Sequence, residues 1–145
     1  MATTAATTAP YLEFDRDFSL DQVQDRITVV NFWATWCAPC RHEMPMLSEL
    51  QSELGGEHFE VVTIATGRNA PVAMAKFFEE IGVDNLPLHT DARMGLARAM
   101  GVLGLPASVL IDPEGHEIAR MVGDADGRQC PSYAGKTGGG RRRDR

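Results

Sequence analysis

The sequence predicts an α/β fold in which helices flank a mixed central sheet. Two runs typical of buried strands, ITVVNFW at 27–33 and FEVVTIA at 59–65, are separated by a segment with helical apolar spacing. A helix between two such strands predicts that they are parallel neighbours joined by a right-handed crossover. The turn DPEG at 112–115 joins two later strands into a hairpin, and this antiparallel pair makes the sheet mixed.

The remaining elements follow in chain order from apolar spacing and from stop signals. Between the first two strands, apolar residues recur at steps of three and four until Gly55 and Gly56 end the helix. The predicted elements are a helix over 37–54, a helix from Pro71 to Ile81, an extended piece at 86–90, a helix over 92–100, a strand at 106–111 and a hairpin strand at 116–122.

Composition limits the class of protein. The 145 residues are 43% apolar and 23% charged, which suits one soluble domain with a hydrophobic core. Three cysteines are too few for a disulfide-built scaffold. The net charge of −6 argues against a nucleic-acid partner, and no apolar run is long enough to span a membrane.

The two ends of the chain differ from its centre. Residues 1–10 are small and polar and are interpreted as a disordered leader; residues 11–126 form the predicted domain. Residues 127–145 are interpreted as a disordered, basic, glycine-rich tail, because such a composition cannot offset the entropy lost on ordering. An anchor for an acidic partner is the alternative interpretation of this tail.

The segment WCAPC at 36–40 carries the chemistry. It lies between a buried strand and a helix, the context in which a C-x-x-C pair is typical of redox exchange. Cys37 at the helix N-terminus is expected to be the more exposed thiol, with a lowered pKa, and to be the attacking nucleophile. Cys40, one turn later, is the expected resolving thiol. Inert thiols, half of a zinc site, or a copper site with His42 and a methionine are the alternatives.

The segment VVNFWATWCAPCRHEMP resembles the active-site region of the thioredoxin superfamily, and within it the TlpA-type thiol:disulfide oxidoreductases of bacteria. The resemblance covers residues 11–126. It rests on Trp36 before the first cysteine, on Pro45 five residues after the second, and on GLPASVLIDPEG at 104–115. It implies a thioredoxin-like three-layer fold with a mixed central sheet.

The resemblance also implies a function and a set of supporting residues. Pro106 is expected to be a cis proline that faces the cysteines, with the backbone of Leu105 binding an incoming peptide as an added strand. Trp36, Ala38 and Pro39 are expected to shape the rim.

The expected activity is reduction of disulfides in exported proteins, as in cytochrome c or oxidase maturation. The Cys37–Cys40 pair would carry the electrons and no other cofactor would be needed. The expected partners are disulfide-containing proteins and an upstream thiol reductant, and the expected state is a monomer in the periplasm. A copper-binding, metallochaperone-like module is the alternative function.

The sequence departs from the family pattern in four places. Asn31 stands where thioredoxins keep a buried acid, and the loop 66–70 has no carboxylate, so the general base is left unassigned. The usual C-terminal helix is not expected from residues 123–145, which suggests a truncated or shifted reading frame. The usual leader or membrane anchor is not recognised, which keeps a cytoplasmic location as the alternative. Cys130 has no family counterpart and is expected to be an accidental free thiol, with a third redox partner as the alternative.

Overall fold

A computed structural model describes residues 25–131. The predicted leader at 1–10 and the tail beyond residue 131 lie outside the described residues. The elements are β1 (Ile27–Trp33), α1 (Ala38–Leu54), β2 (Phe59–Thr66), α2 (Pro71–Glu80), β3 (Leu88–Asp91), α3 (Gly95–Ala99), β4 (Gly104–Leu105), β5 (Ala107–Ile111), β6 (Glu117–Val122) and β7 (Cys130–Pro131).

The central sheet is mixed, as predicted. Its five strands lie in the order β3-β2-β1-β5-β6. β1 pairs in parallel with β2, and β2 pairs in parallel with β3. β5 runs antiparallel to both β1 and β6. β1 is therefore the central strand, and the loop that leads to α1 starts at the C-terminal end of this strand.

The core is built on the central strands and on α1 and α2. Val30, Val62 and Val109 lie side by side on β1, β2 and β5 and are fully or almost fully buried. Trp33 at the end of β1 stacks on Phe78 of α2 with ring centroids 5.5 Å apart. β1 is thus buried on both faces, as its continuous apolar run predicts.

The predicted hairpin forms between β5 and β6. The Asp112 carboxylate accepts hydrogen bonds from the backbone N–H groups of Glu114 (3.0 Å) and His116 (2.8 Å), which closes the turn. Every residue of β6 is exposed, including Ile118 and Met121.

The chain remains ordered past the predicted domain end at residue 126. β7 pairs antiparallel with β4, so the expectation of a disordered tail from residue 127 is wrong for residues 127–131. Hydrogen bonds to a side chain fix the turn before this segment, and Cys130 packs against the core. The Asp124 carboxylate accepts the N–H groups of Asp126 and Arg128, each at 2.9 Å, and Gly123 and Gly127 supply the positive φ angles of the turn.

Two further findings concern the helices. α3 is shorter than the predicted 92–100 helix, because Met94 adopts a left-handed conformation (φ 62°) and the helix starts only after it. Between residues 25 and 131, every helix is too short or too polar to cross a membrane.

Candidate functional site

Cys37 occupies the N-cap position of α1, directly after the central strand. Its backbone N–H donates to the carbonyl of Ala34 (3.1 Å), and its own carbonyl accepts the N–H of Arg41 (3.1 Å). Pro39 lies in the first turn, where a missing N–H costs nothing. The predicted helix-tip position of this thiol is therefore present.

The expected exposure of Cys37 is not present. Both thiols of the pair are buried: Cys37 is 0% and Cys40 is 1% exposed. The Cys37 thiol donates to the carbonyl of Leu105, with sulfur and oxygen 3.6 Å apart. A thiol at a helix N-terminus is exposed only when no other segment packs on it, and here β4 and β7 lie against the N-terminus of α1.

The expected lowering of the Cys37 pKa is also wrong for this state. Its hydrogen bond with the Cys40 thiol, together with burial, raises the pKa of the Cys37 thiol far above its usual range. The size of the competing effects explains this result. A helix terminus contributes about 0.3–1 kcal/mol, less than one pKa unit, whereas burial shifts a pKa by up to about 3–5 units.

The residues expected around the pair lie where the resemblance puts them. Leu105 is fully buried, and the bond between Leu105 and Pro106 is cis. Trp36 is 37% exposed, Ala38 is exposed and Pro39 is half-buried, so these three form the outer rim.

The loop before the cysteines is fixed by Asn69, which the sequence did not single out for this purpose. The Asn69 side-chain oxygen accepts the Thr35 backbone N–H (2.7 Å) and the Thr35 hydroxyl (2.9 Å). Its amide nitrogen donates to the carbonyls of Thr66 (3.0 Å) and Gly67 (3.2 Å). Asn69 thus ties the loop after β2 to the loop after β1.

The structure also supplies a buried acid that sequence reasoning missed. Glu43 lies one turn after Cys40 on α1 and is buried. The side-chain nitrogen of Asn31 donates to the Glu43 carboxylate (3.2 Å) and to the Ser108 hydroxyl (3.1 Å). Asn31 is therefore not a simple replacement for the family's buried acid. It binds the carboxyl group of Glu43, which comes from the helix.

Burial raises the pKa of Glu43 from 4.5 to about 7, with a smaller lowering by the Asn31 hydrogen bond and a raising by the charge of Asp124. A signal was present in the sequence. Glu43 follows Cys40 by three residues and precedes Leu47 by four, so it falls on the apolar stripe of the helix. A carboxylate on such a stripe indicates a buried ionisable group.

The third cysteine lies at the same site. Cys130 is opposite Leu105 in the β4–β7 pair. Its thiol is a neighbour of the Cys37 thiol and of the Ala38 backbone, both of which affect its pKa. Burial, with the Cys37 contact as a smaller cause, raises the pKa of Cys130 to about 12. Cys37 therefore has a thiol neighbour on each side, and the three cysteines are free thiols.

The ligands for the alternative copper site are not gathered together. His42 and Met46 are exposed, while both thiols of the pair are buried. Across residues 25–131, one group of three or more side chains could share a metal ion, and it is Asp112, Glu114 and His116 on the exposed hairpin turn. Exposed acidic turns are common without a metal.

A dithiol at the start of α1 on a mixed five-stranded sheet, with a cis proline beside it, defines a thiol:disulfide oxidoreductase of the thioredoxin superfamily, TlpA type. Comparison with known families agrees with this class. The family model described as AhpC/TSA family matches residues 4–119, and the chain belongs to this family.

Individual relatives support the same class of protein. The chain is 27% identical over 121 residues to the thiol-disulfide oxidoreductase ResA of Bacillus thuringiensis (strain Al Hakam), covering 83% of this chain and 69% of the relative. It is 30% identical over 104 residues to ResA of Bacillus subtilis (strain 168), covering 72% of this chain and 57% of the relative. A solved structure of a secreted Mycobacterium tuberculosis disulfide oxidoreductase matches with a TM-score of 0.58 at 26% identity, covering 68% of this chain and 69% of that one.

Proposed function

We propose that this oxidoreductase reduces disulfide bonds in exported proteins, using Cys37 and Cys40 as the redox pair. The observation that carries the proposal is the buried pair of thiols at the N-terminus of α1, with Cys37 hydrogen-bonded to the backbone of Leu105. A substrate strand paired with Leu105 would bring its sulfur to Cys37. The secreted Mycobacterium tuberculosis relative supports an extracytoplasmic site of action.

The reaction proceeds through two exchanges. The Cys37 thiol gives up its proton and its sulfur attacks one sulfur of the substrate disulfide, so that a Cys37–substrate disulfide forms. The other substrate sulfur leaves as a thiolate and takes up a proton. Cys40 then attacks Cys37, releases the reduced substrate and leaves the Cys37–Cys40 disulfide. An upstream thiol reductant returns the two electrons. Because sulfur carries these electrons, no further cofactor takes part, and one copy of the chain suffices.

Glu43 is the proposed proton acceptor for the second exchange. Cys40 must lose its proton to attack, and Glu43 lies one helical turn away on the same buried face. A carboxyl with a pKa of about 7 can both take up and give back a proton near neutral pH. The amide of Asn31 orients this carboxyl group through its 3.2 Å hydrogen bond.

Insulin reduction tests the proposal. With dithiothreitol as the reductant, the protein should accelerate the turbidity that follows cleavage of the insulin disulfides, and Cys37→Ser should return the rate to the uncatalysed level. Val72→Ala, which shortens an exposed side chain on α2, serves as the control and should keep the full rate. A wild-type rate equal to that of dithiothreitol alone would refute the proposal.

A further inference from the structure

Cys130 lies where a substrate cysteine would have to lie. β7 is paired antiparallel with β4, with Cys130 opposite Leu105 and Pro131 opposite Gly104. The carbonyl of Leu105 accepts the Cys37 thiol at 3.6 Å, and the Cys37 and Cys130 thiols are near enough for each to shift the pKa of the other. The pairing partner of Leu105 is therefore already supplied by the chain itself.

A hydrogen-bonded turn holds the segment that contains Cys130 in place. The backbone N–H of Gly123 donates to the carbonyl of Pro106 (2.7 Å), which fixes the start of the turn beside the site. The buried carboxylate of Asp124 accepts the backbone N–H of Arg128 (2.9 Å) and pairs with its guanidinium (3.0 Å). The amide end of the Gln129 side chain lies against Gly104, next to this strand pair.

We infer that residues 129–131 act as an internal pseudo-substrate, in which Cys130 exchanges disulfide bonds with Cys37 and occupies the strand site needed by protein substrates. The inference rests on the proposed function, because it assigns a regulator to the same dithiol. It makes Cys130 a third redox-active residue.

The exchange balances without an external oxidant. In the oxidised protein, the Cys130 thiolate attacks the sulfur of Cys37 and a Cys37–Cys130 bond forms. The Cys37–Cys40 bond breaks, and the Cys40 sulfur leaves as a thiolate and takes up the proton that Cys130 lost. One disulfide and one thiol are present before and after the step. The product has a covalently closed strand site and a free Cys40.

A trapping experiment on the full-length chain tests this exchange. Reduced Cys40→Ser protein is mixed with oxidised glutathione, so that Cys37 forms a mixed disulfide and releases one glutathione. Cys130 should then displace the second glutathione, and non-reducing peptide mapping should find Cys37 linked to Cys130. The matched control, Cys40→Ser with Cys130→Ser, should keep glutathione on Cys37 at least tenfold longer.

Two outcomes would overturn the inference. The first is an adduct on Cys37 that lasts equally long in both variants. The second is a Cys37–Cys130 link whose yield rises with protein concentration, because that dependence indicates bonding between two copies. Loss of insulin reduction by the wild-type protein would instead refute the proposed function, and the glutathione trap would still report the exchange.

A measurement on the wild-type protein covers the case in which Cys40→Ser fails to fold. The protein is oxidised with glutathione disulfide, quenched in acid and alkylated, and the labelled cysteine is identified by mass spectrometry. Among molecules that carry one label and no glutathione, at least a tenth should be labelled on Cys40, because in such a molecule the remaining disulfide joins Cys37 to Cys130. Label on Cys130 alone would contradict the inference.

Discussion

Ionisation of Glu43 should make the folded protein less stable as the pH rises. Its pKa is about 7 in the folded protein, against 4.5 for an ordinary glutamate, chiefly because of burial. Between these two values the folded state binds the proton and the unfolded state does not, so the stabilisation is complete below about pH 4.5 and is lost as the pH rises through about 7. The interval of about 2.5 pH units corresponds to about 3 kcal/mol.

Glu43→Gln removes this dependence while it keeps an oxygen that can accept the hydrogen bond from Asn31. Relative to wild type, the free energy of unfolding of the variant should rise by about 3 kcal/mol between about pH 4 and about pH 8. Every other titrating group is common to both proteins and cancels in this difference.

Urea unfolding followed by circular dichroism, with the thiols kept reduced, measures the difference at each pH. Glu53→Gln changes an exposed carboxylate on the same helix and is the matched control. If the Glu43→Gln difference changes with pH no more than that of the control, Glu43 does not ionise with a raised pKa, and its proposed role as proton acceptor loses its basis.

Three other predictions concern the scaffold. Burial lowers the pKa of His89 to about 4, so the stabilisation by its neutral form is present above about pH 6.5 and is lost as the pH falls through about 4. Between these pH values, the free energy of unfolding measured in urea should fall by about 3 kcal/mol less for His89→Gln than for wild type. Phe78→Ala removes the ring stacked on Trp33 and should cost about 3–5 kcal/mol in urea unfolding, whereas a cost within about 0.5 kcal/mol, as expected for the exposed Val72→Ala, would contradict this packing. Asn69→Ala leaves the Thr35 N–H without its acceptor and should cost about 1–3 kcal/mol; unchanged stability together with unchanged amide exchange at Thr35 would show that Asn69 does not fix this loop.

The sheet could be predicted because its strands follow local rules. β1 has the bounds that its β-branched and aromatic run predicts, and the DPEG turn forms around the Asp112 side chain as expected. The thioredoxin-like fold and the cysteine-bearing helix tip follow from the same local patterns.

The environment of the cysteines could not be predicted, because it depends on contacts between distant segments. The pairing of Leu105 with Cys130 joins two-residue strands that have no apolar pattern of their own. Cys37 is buried beside this pairing, and the Cys40 thiol together with burial raises its pKa instead of lowering it. Glu43 was missed for a related reason, since a glutamate on a helix is usually solvated, and only the packing of α1 against Asn31 buries it.

The two tryptophans lie in opposite surroundings, and this difference gives the molecule two natural optical reporters. Trp33 is sealed among the rings of Phe77 and Phe78, whereas Trp36 faces water next to Cys37. Their fluorescence emission should therefore differ in wavelength. The blue component of Trp33 reports unfolding of the core, and the red component of Trp36 responds to the redox state of the cysteines. The wild-type protein therefore reports both processes in one sample, and a Trp36→Phe protein, which would keep only the blue component, assigns that component to Trp33.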